Sequence, residues 1–248
     1  AIATLKGRNH PVAAFLVDGI FSSDGVFPDP AGFLSKSVDA VRAAGGLLIA
    51  DEVQPGFGRT GQMWGFERHG LDPDIITMGK PMANGYPVSG MATRPDILSR
   101  FCEDVGYFNT FGSTPVSAAA GLAVLDVIED ENLIDNAKAM GTYLLDQLQD
   151  LGKTESRVGA VRGAGLFLGI DLVDEQSGAP CPDLAKGVIN SLRHHHVLIG
   201  AAGKFGHTLK VRPPLCLSRE DADFFIDALA SALSQTKEPL EAVASPLV

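Results

Sequence analysis

Cysteine is scarce: Cys102, Cys181 and Cys216 stand far apart in a chain of 248 residues. Their odd number rules out a fully paired disulfide framework, and their spacing matches no metal-ligand pattern. Free thiols, buried or half-buried, in a reducing compartment are the expectation. Basic residues are also few: 20 Lys and Arg against 30 Asp and Glu leave a net charge of −10. That balance argues against nucleic-acid binding, whose affinity rests on Lys and Arg at phosphates, and against a basic membrane-surface role. No apolar run reaches the roughly 18 residues needed to span a bilayer. No secretory signal is visible, so the cytoplasm is the default location. The run His194-His195-His196 is no metal cluster either, because consecutive side chains on a helix do not converge on one ion.

What is present reads as an ordinary globular chain, with 45% hydrophobic and 20% charged residues. Residues 12 to 17 form a short apolar run of the kind buried on both faces of a sheet. Residues 32 to 45 have helical spacing and end at Gly45-Gly46. Leu47 to Ala50 reads as another buried strand, Ile75 to Met78 as a third candidate strand and Val88 to Ala92 as a fourth. Strand, helix, strand with short links implies parallel pairing. Residues 115 to 151 read as long helix with a break near Asp130 to Asn132. Beyond that lie strands within 158 to 173, a helix at 184 to 194, strands at 197 to 199 and 209 to 211, and a last helix. Ser218 and Asp221 have the spacing of a capping box for that helix, with Phe224, Phe225, Ala228 and Leu229 as its buried face. The implied organisation is α/β over residues 1–152, a small α+β domain over 153–240, and a tail at 241–248. The chain opens on Ala1 and soon enters what reads as a core strand, so a piece of a longer polypeptide is expected.

Two segments carry chemistry. Asp51-Glu52-Val53-Gln54-Pro55-Gly56-Phe57-Gly58-Arg59-Thr60-Gly61 places a carboxylate at a strand end and follows it with three glycines. On its own it also suits a structured loop capped by Asp51. In the second, Lys80 follows an apolar strand and precedes a turn. Desolvation there would free its amine as a nucleophile, although a lone strand-end lysine is more often an ion-pair partner. In open α/β sheets, ligands sit beyond the carboxyl ends of the strands, which is where both residues lie.

Together the two segments, DEVQPGFGRTG and PDIITMGK, resemble the class III (omega-type) aminotransferases of the fold-type I pyridoxal-phosphate (PLP) superfamily. The resemblance implies the C-terminal part of such an enzyme: a mainly parallel large-domain sheet with helices, then a small α+β domain. It implies PLP as cofactor, held by Lys80 as an aldimine. Asp51 would partner the ring nitrogen, Val53 would pack on the ring face, and Gln54 would bond the ring's 3-oxygen. Lys80 would also shuttle the substrate proton. Phe108-Asn109-Thr110-Phe111-Gly112 resembles the family turn whose Thr, here Thr110, reaches the cofactor phosphate of the neighbouring subunit. Ser113-Thr114 departs from the family's Gly-Asn there, and an N-cap for the helix from Pro115 is the other reading. Arg212, before Pro213-Pro214, resembles the position that binds the substrate carboxylate; a structural ion pair is its alternative. Arg162, in a Gly-rich turn, is not expected to be catalytic.

The implied activity is transamination between an amine or amino acid and a keto acid, in a homodimer with its active site at the dimer interface. Two departures qualify it. Ser23 stands where many omega-amine members carry a Glu that pairs with the substrate arginine. The Met78-to-Gly85 stretch is closest to the branch that includes phospho-lyases of amino-alcohol phosphates. The family's N-terminal half, with the main phosphate loop and a ring-stacking aromatic, is not in this chain. A phospho-lyase and an inactive truncated fragment are therefore the rival readings.

Overall fold

A computed structural model describes residues 1–112 and 114–236. The tail expected at 241–248 lies outside the described residues. The chain divides into two compact units. The first comprises Ala1–Phe21 and Pro28–Ala137; the second comprises Ser22–Phe27 and the chain from Lys138 onward. The division falls inside a long helix, upstream of the 152/153 boundary read from the sequence.

The first unit holds helices α1 (Ile2–Gly7), α2 (Ser35–Ala43), α3 (Pro95–Asp104) and α4 (Pro115–Asp130), and strands β1 (Ala14–Val17), β2 (Leu47–Asp51), β3 (Ile75–Met78) and β4 (Gly90–Thr93). The strands form one sheet in the order β1-β2-β3-β4. β1, β2 and β3 are parallel and β4 is antiparallel to β3. β2 alternates strictly, with Leu48 and Ala50 buried. Leu48 joins Val17, Leu34 and Val38 in the core, against Phe15, Phe21, Phe33 and Leu71. Register is fixed at the strand start by Asp74. Its N–H donates to Leu48 O at 2.9 Å, and its Oδ2 accepts the Leu48 N–H at 2.8 Å. Its other oxygen pairs with Arg94.

One expectation about this sheet is corrected. β1 is not buried on both faces: it is one of the two edge strands of the four, and Leu16 is 61% exposed. On α4 only Ile128 is buried, while Val116, Leu122, Leu125 and Val127 are exposed. This helix is apolar on more than one side, and an apolar residue count alone does not say which side is covered.

The second unit holds a fully antiparallel sheet in the order β5-β6-β8-β7, built from β5 (Val158–Ala164), β6 (Phe167–Leu172), β7 (Gly200–Ala202) and β8 (Thr208–Val211). Helices α6 (Pro182–His194) and α7 (Arg219–Gln235) accompany it, and α5 (Leu133–Thr154) enters it from the first unit's sequence. Ser218 caps α7, and the Asp221 carboxylate accepts the Ser218 N–H at 3.1 Å, which completes the box. Ala222, Ala228, Leu229, Ala232 and Leu233 are buried on α7, whereas Phe224 is 53% exposed, contrary to expectation. Gly141 of α5 meets the β5–β6 turn so closely that a Cβ there would lie 2.1 Å from Gly165 O. Of the cysteines, Cys102 and Cys216 are exposed and only Cys181 is half-buried; all are free.

Arg162 organises this unit. Its guanidinium makes two hydrogen bonds to Asp171, at 2.6 and 2.9 Å, and its Nε donates to Val26 O at 2.7 Å. It also stacks 4.3 Å from the Phe27 ring centroid. The segment Ser22–Phe27 is thereby fastened to the sheet, with Gly203 N–H donating to Ser23 O at 3.1 Å. Val26, a β-branched residue, is held at φ +63° there. Burial pushes the Asp171 carboxyl pKa up, but the hydrogen bonds from Arg162 and Thr208, with the Arg162 charge, outweigh it and leave the group below its usual range. Arg162→Ala leaves half-buried Asp171 without its cation and should cost about 1–2 kcal/mol of unfolding free energy, read from denaturant midpoints. Wild-type stability from this pair should be complete above about pH 4, the unfolded Asp value, and lost as pH falls through the lowered folded one.

Candidate active site

β2 and β3 pair in parallel with Asp51 opposite Thr77, so their carboxyl ends lie side by side. β2 ends on Asp51, and β3 leads through Met78 and Gly79 to Lys80. Asp51 is half-buried, and its Oδ1 accepts the Val53 N–H at 3.0 Å. This closes a short turn that brings Val53 back over the sheet end. Its methyls stand 3.7 and 3.8 Å from where a Cβ on Gly79 would sit. Gln54 follows, also half-buried. Asp51, Val53 and Lys80 are thus brought to one end of two adjacent strands.

Lys80 begins a 3-10 turn, Lys80–Ala83, on which α4 packs, and its φ of +31° is strained for a residue with a Cβ. The expectation of a desolvated lysine is corrected: the side chain is exposed, because the described residues floor the strand ends without enclosing it. Among the described residues no carboxylate pairs with Lys80 and no base pairs with Asp51, which removes the ion-pair alternative for Lys80. A cavity of about 580 Å³ lies alongside, lined by Phe57, Trp64, Met78, Met82 and Leu122 among others. An unpaired carboxylate, an aliphatic contact and a primary amine at one strand end can hold a protonated pyridine ring carrying an aldehyde.

Thr110 lies in an exposed turn before α4. Thr114, not Thr110, caps that helix, accepting the Ser117 N–H at 3.2 Å with Pro115 in the first turn. The cap and the family Thr are therefore different residues; Ser113 lies outside the described residues. Arg212 belongs to the second unit, just after β8. It is exposed, has no ion pair among the described residues, and stands 5.8 Å from the Phe167 ring centroid. It shares a cavity of about 600 Å³ with Lys210, Leu217 and Phe224. Among the described residues no cluster of His, Cys, Asp and Glu could hold a metal, and no helix is long and apolar enough to cross a membrane.

Sequence reasoning passed over Glu52 and His69. Glu52 is 1% exposed, and its oxygens accept the N–H groups of Gly65 and Phe66 at 2.7 and 2.9 Å. Burial pushes its pKa up to about 7, helped by the charges of Asp18 and Asp51 and opposed by the two amides. An acidic pair closing an apolar strand was the available signal. His69 had no nameable partner in the sequence. In the fold, its Nε2 lies 2.7 Å from Gly19 O and its Nδ1 accepts the Gly32 N–H at 3.1 Å. Both bonds together require the neutral tautomer with its proton on Nε2.

The sheet, with its parallel strand ends side by side, is that of the fold-type I PLP-dependent enzymes. The profile of the class III aminotransferases matches residues 2–233, and the chain belongs to that family, whose members are PLP-dependent. An Arabidopsis thaliana protein named alanine–glyoxylate aminotransferase 2 homolog 2, mitochondrial, is 42% identical over 230 residues, covering 92% of this chain and 48% of its own. The human mitochondrial alanine–glyoxylate aminotransferase 2 is 39% identical over 232 residues, 92% of this chain and 45% of its own. A phospholyase from Arthrobacter, solved with phosphoethanolamine, superposes with a TM-score of 0.92 at 42% identity, covering 95% of this chain and 56% of the other. The chain spans about half the length of the curated relatives it matches. The mitochondrial names overturn the cytoplasmic reading, which is withdrawn. Targeting segments lie outside the fold they deliver, so residues of the fold do not report a compartment.

Burial pushes the His69 pKa down, with the Arg68 charge adding to this and the Gly19 bond opposing it. The stability that wild type holds over His69→Gln should therefore be greatest above about pH 6.5. It should shrink as pH falls through that value, because the unfolded chain takes up a proton that the folded imidazole refuses. Urea titrations of both proteins across that range measure it.

Proposed function

We propose that this chain is the C-terminal part of a PLP-dependent aminotransferase that moves an amino group from an amine or amino acid to a keto acid. The observation that carries this reading is the convergence of Asp51, Val53 and Lys80 at the ends of two parallel strands, with neither charged group in an ion pair among the described residues. Bound PLP supplies an electron sink for the carbon that loses its proton. Asp51 holds the proton on the ring nitrogen, and that positive charge is what makes the sink effective. Val53 covers one ring face, and Gln54 bonds the ring oxygen. Lys80 would hold the cofactor through its amine, and the same amine would move the proton at the substrate carbon. Thr110 is assigned to the phosphate held by a partner subunit, and Arg212 to the substrate carboxylate. The first unit is assigned to part of the cofactor-binding domain and the second to the small domain.

A homodimer belongs to the same reading. Phe108 and Phe111 are 88% and 85% exposed beside Thr110, and the apolar side chains of α4 follow them. Apolar surface of this extent is what an interface covers.

A second reading has a specific observation behind it: the phospholyase superposition, and a Caenorhabditis elegans ethanolamine-phosphate phospho-lyase homolog that is 41% identical over 235 residues. Such an enzyme uses the same lysine and aspartate but expels phosphate from an amino-alcohol phosphate.

Mixing the protein with PLP should give an absorbance band that borohydride fixes on Lys80 and that Lys80→Ala abolishes. Asp51→Asn should lower turnover by about a hundredfold or more. Offering amino acids with glyoxylate, and separately phosphoethanolamine, separates the two readings by keto product or free phosphate. Neither product, with no adduct on Lys80, would sink both.

A further inference from the structure

We propose that Glu52 is a positioning residue for the cofactor site, bolting the 3-10 turn Gly65–His69 behind the end of β2 so that Asp51 and the Val53–Gln54 turn are held in place. This rests on the PLP reading above. Glu52 is fixed from both sides. Its N–H donates to Thr77 O at 2.9 Å, on the strand that leads to Lys80, and its O accepts the Gly56 N–H at 3.2 Å. Its side chain reaches away to the amides of Gly65 and Phe66. The turn seats flush on the loop it supports, since a Cβ on Gly65 would lie 2.5 Å from Pro55 Cβ. At the other end of the same turn, His69 holds Gly19 beyond β1 and Gly32 before α2. One short turn thus ties together the chain after β1, the chain after β2 and the lead-in to α2. Glu52 is its bond to the strand that carries Asp51.

The clamp needs two acceptors. An ionised carboxylate supplies both; a protonated one, or a glutamine, sets a donor against one of the amides. Charged groups around it are Asp18 beyond β1 and Asp51 on β2, both acidic. The turn itself carries Glu67, which accepts the Trp64 N–H, Arg68, which pairs with Asp29, and neutral His69. With the Glu52 pKa raised to about 7, the clamp tightens as pH rises through neutrality. The molecule contains its own reporter. Trp64, the one tryptophan in the sequence, immediately precedes the clamped amides and stands edge-on to Phe57 at 5.3 Å.

The experiment has two arms on the intact protein. In the first, Trp64 emission of the apoprotein is titrated between about pH 5.5 and 8.5, with Trp64→Phe as blank. Wild type should show a transition near neutrality that Glu52→Gln lacks. In the second, PLP is titrated by absorbance at about pH 8 with Lys80→Ala as blank, where the lysine adduct reports binding and not turnover. Glu52→Gln and the shorter Glu52→Asp should each bind PLP about tenfold more weakly or worse, the worth of one hydrogen bond to a charged group. Wild-type PLP affinity in Glu52→Gln, or a flat Trp64 titration in wild type, overturns the proposal; the latter needs no variant to fold. A wild-type protein that forms no Lys80-dependent adduct instead sinks the cofactor reading, and this role with it, even where Trp64 still reports the clamp.

Discussion

The parallel register of β2 and β3 is the constraint on which the rest of the first unit depends. It is held at both ends by acidic residues. At the start, Asp74 exchanges main-chain and side-chain hydrogen bonds with Leu48; at the finish, Glu52 N–H reaches Thr77 O. A slip of one residue would turn every side chain of the strand to the opposite face. Leu48 would leave the core and Asp51 would no longer stand opposite Thr77. The position of Asp51 is therefore a by-product of strand alignment, and the alignment is secured by Asp74 and the main chain of Glu52.

The second unit solves a different problem with a similar device. A partly buried ion pair contributes modest net stability against a well-packed apolar alternative, yet it is costly to break. Arg162 and Asp171 form such a pair, and its specificity lies in what else the guanidinium does. It takes the carbonyls of Gly25 and Val26 and stacks on Phe27, so it fastens a distant stretch of sequence to the sheet. An apolar pair would fill the space without capturing those carbonyls.

Much of this was legible in the sequence, and the reasons differ by residue. Asp51 and Lys80 stand out because each ends an apolar run, and strand ends are where α/β sheets present chemistry. The Ser218–Asp221 box is local, so its four residues suffice to place the start of α7. Glu52 and His69 were not legible as anchors, and neither was the reach of Arg162 to Gly25, because these partners, Gly65, Gly19 and Gly25, are backbone groups with no side chain to advertise them. The exposure of Leu16, Phe224 and Lys80 was missed for a related reason. Hydrophobic periodicity identifies a face, and only the tertiary fold says what, if anything, lies against it. Helix α3 escaped notice because Pro95 at its start reads equally well as a loop residue. Compartment was never encoded in these residues at all.

The contact between α5 and the β5–β6 turn has a consequence for how this sequence can change over time. With Gly165 O only 2.1 Å from where any side chain on Gly141 would begin, even a single methyl cannot enter without pushing backbone against backbone. No neighbouring side chain can shrink to make room, because the obstacle is main chain. Compensating substitutions, the usual route by which cores drift, are closed at this point. Leu144 and Leu148 of the same helix are also buried, but their neighbours include side chains that can repack, whereas position 141 admits only a hydrogen atom.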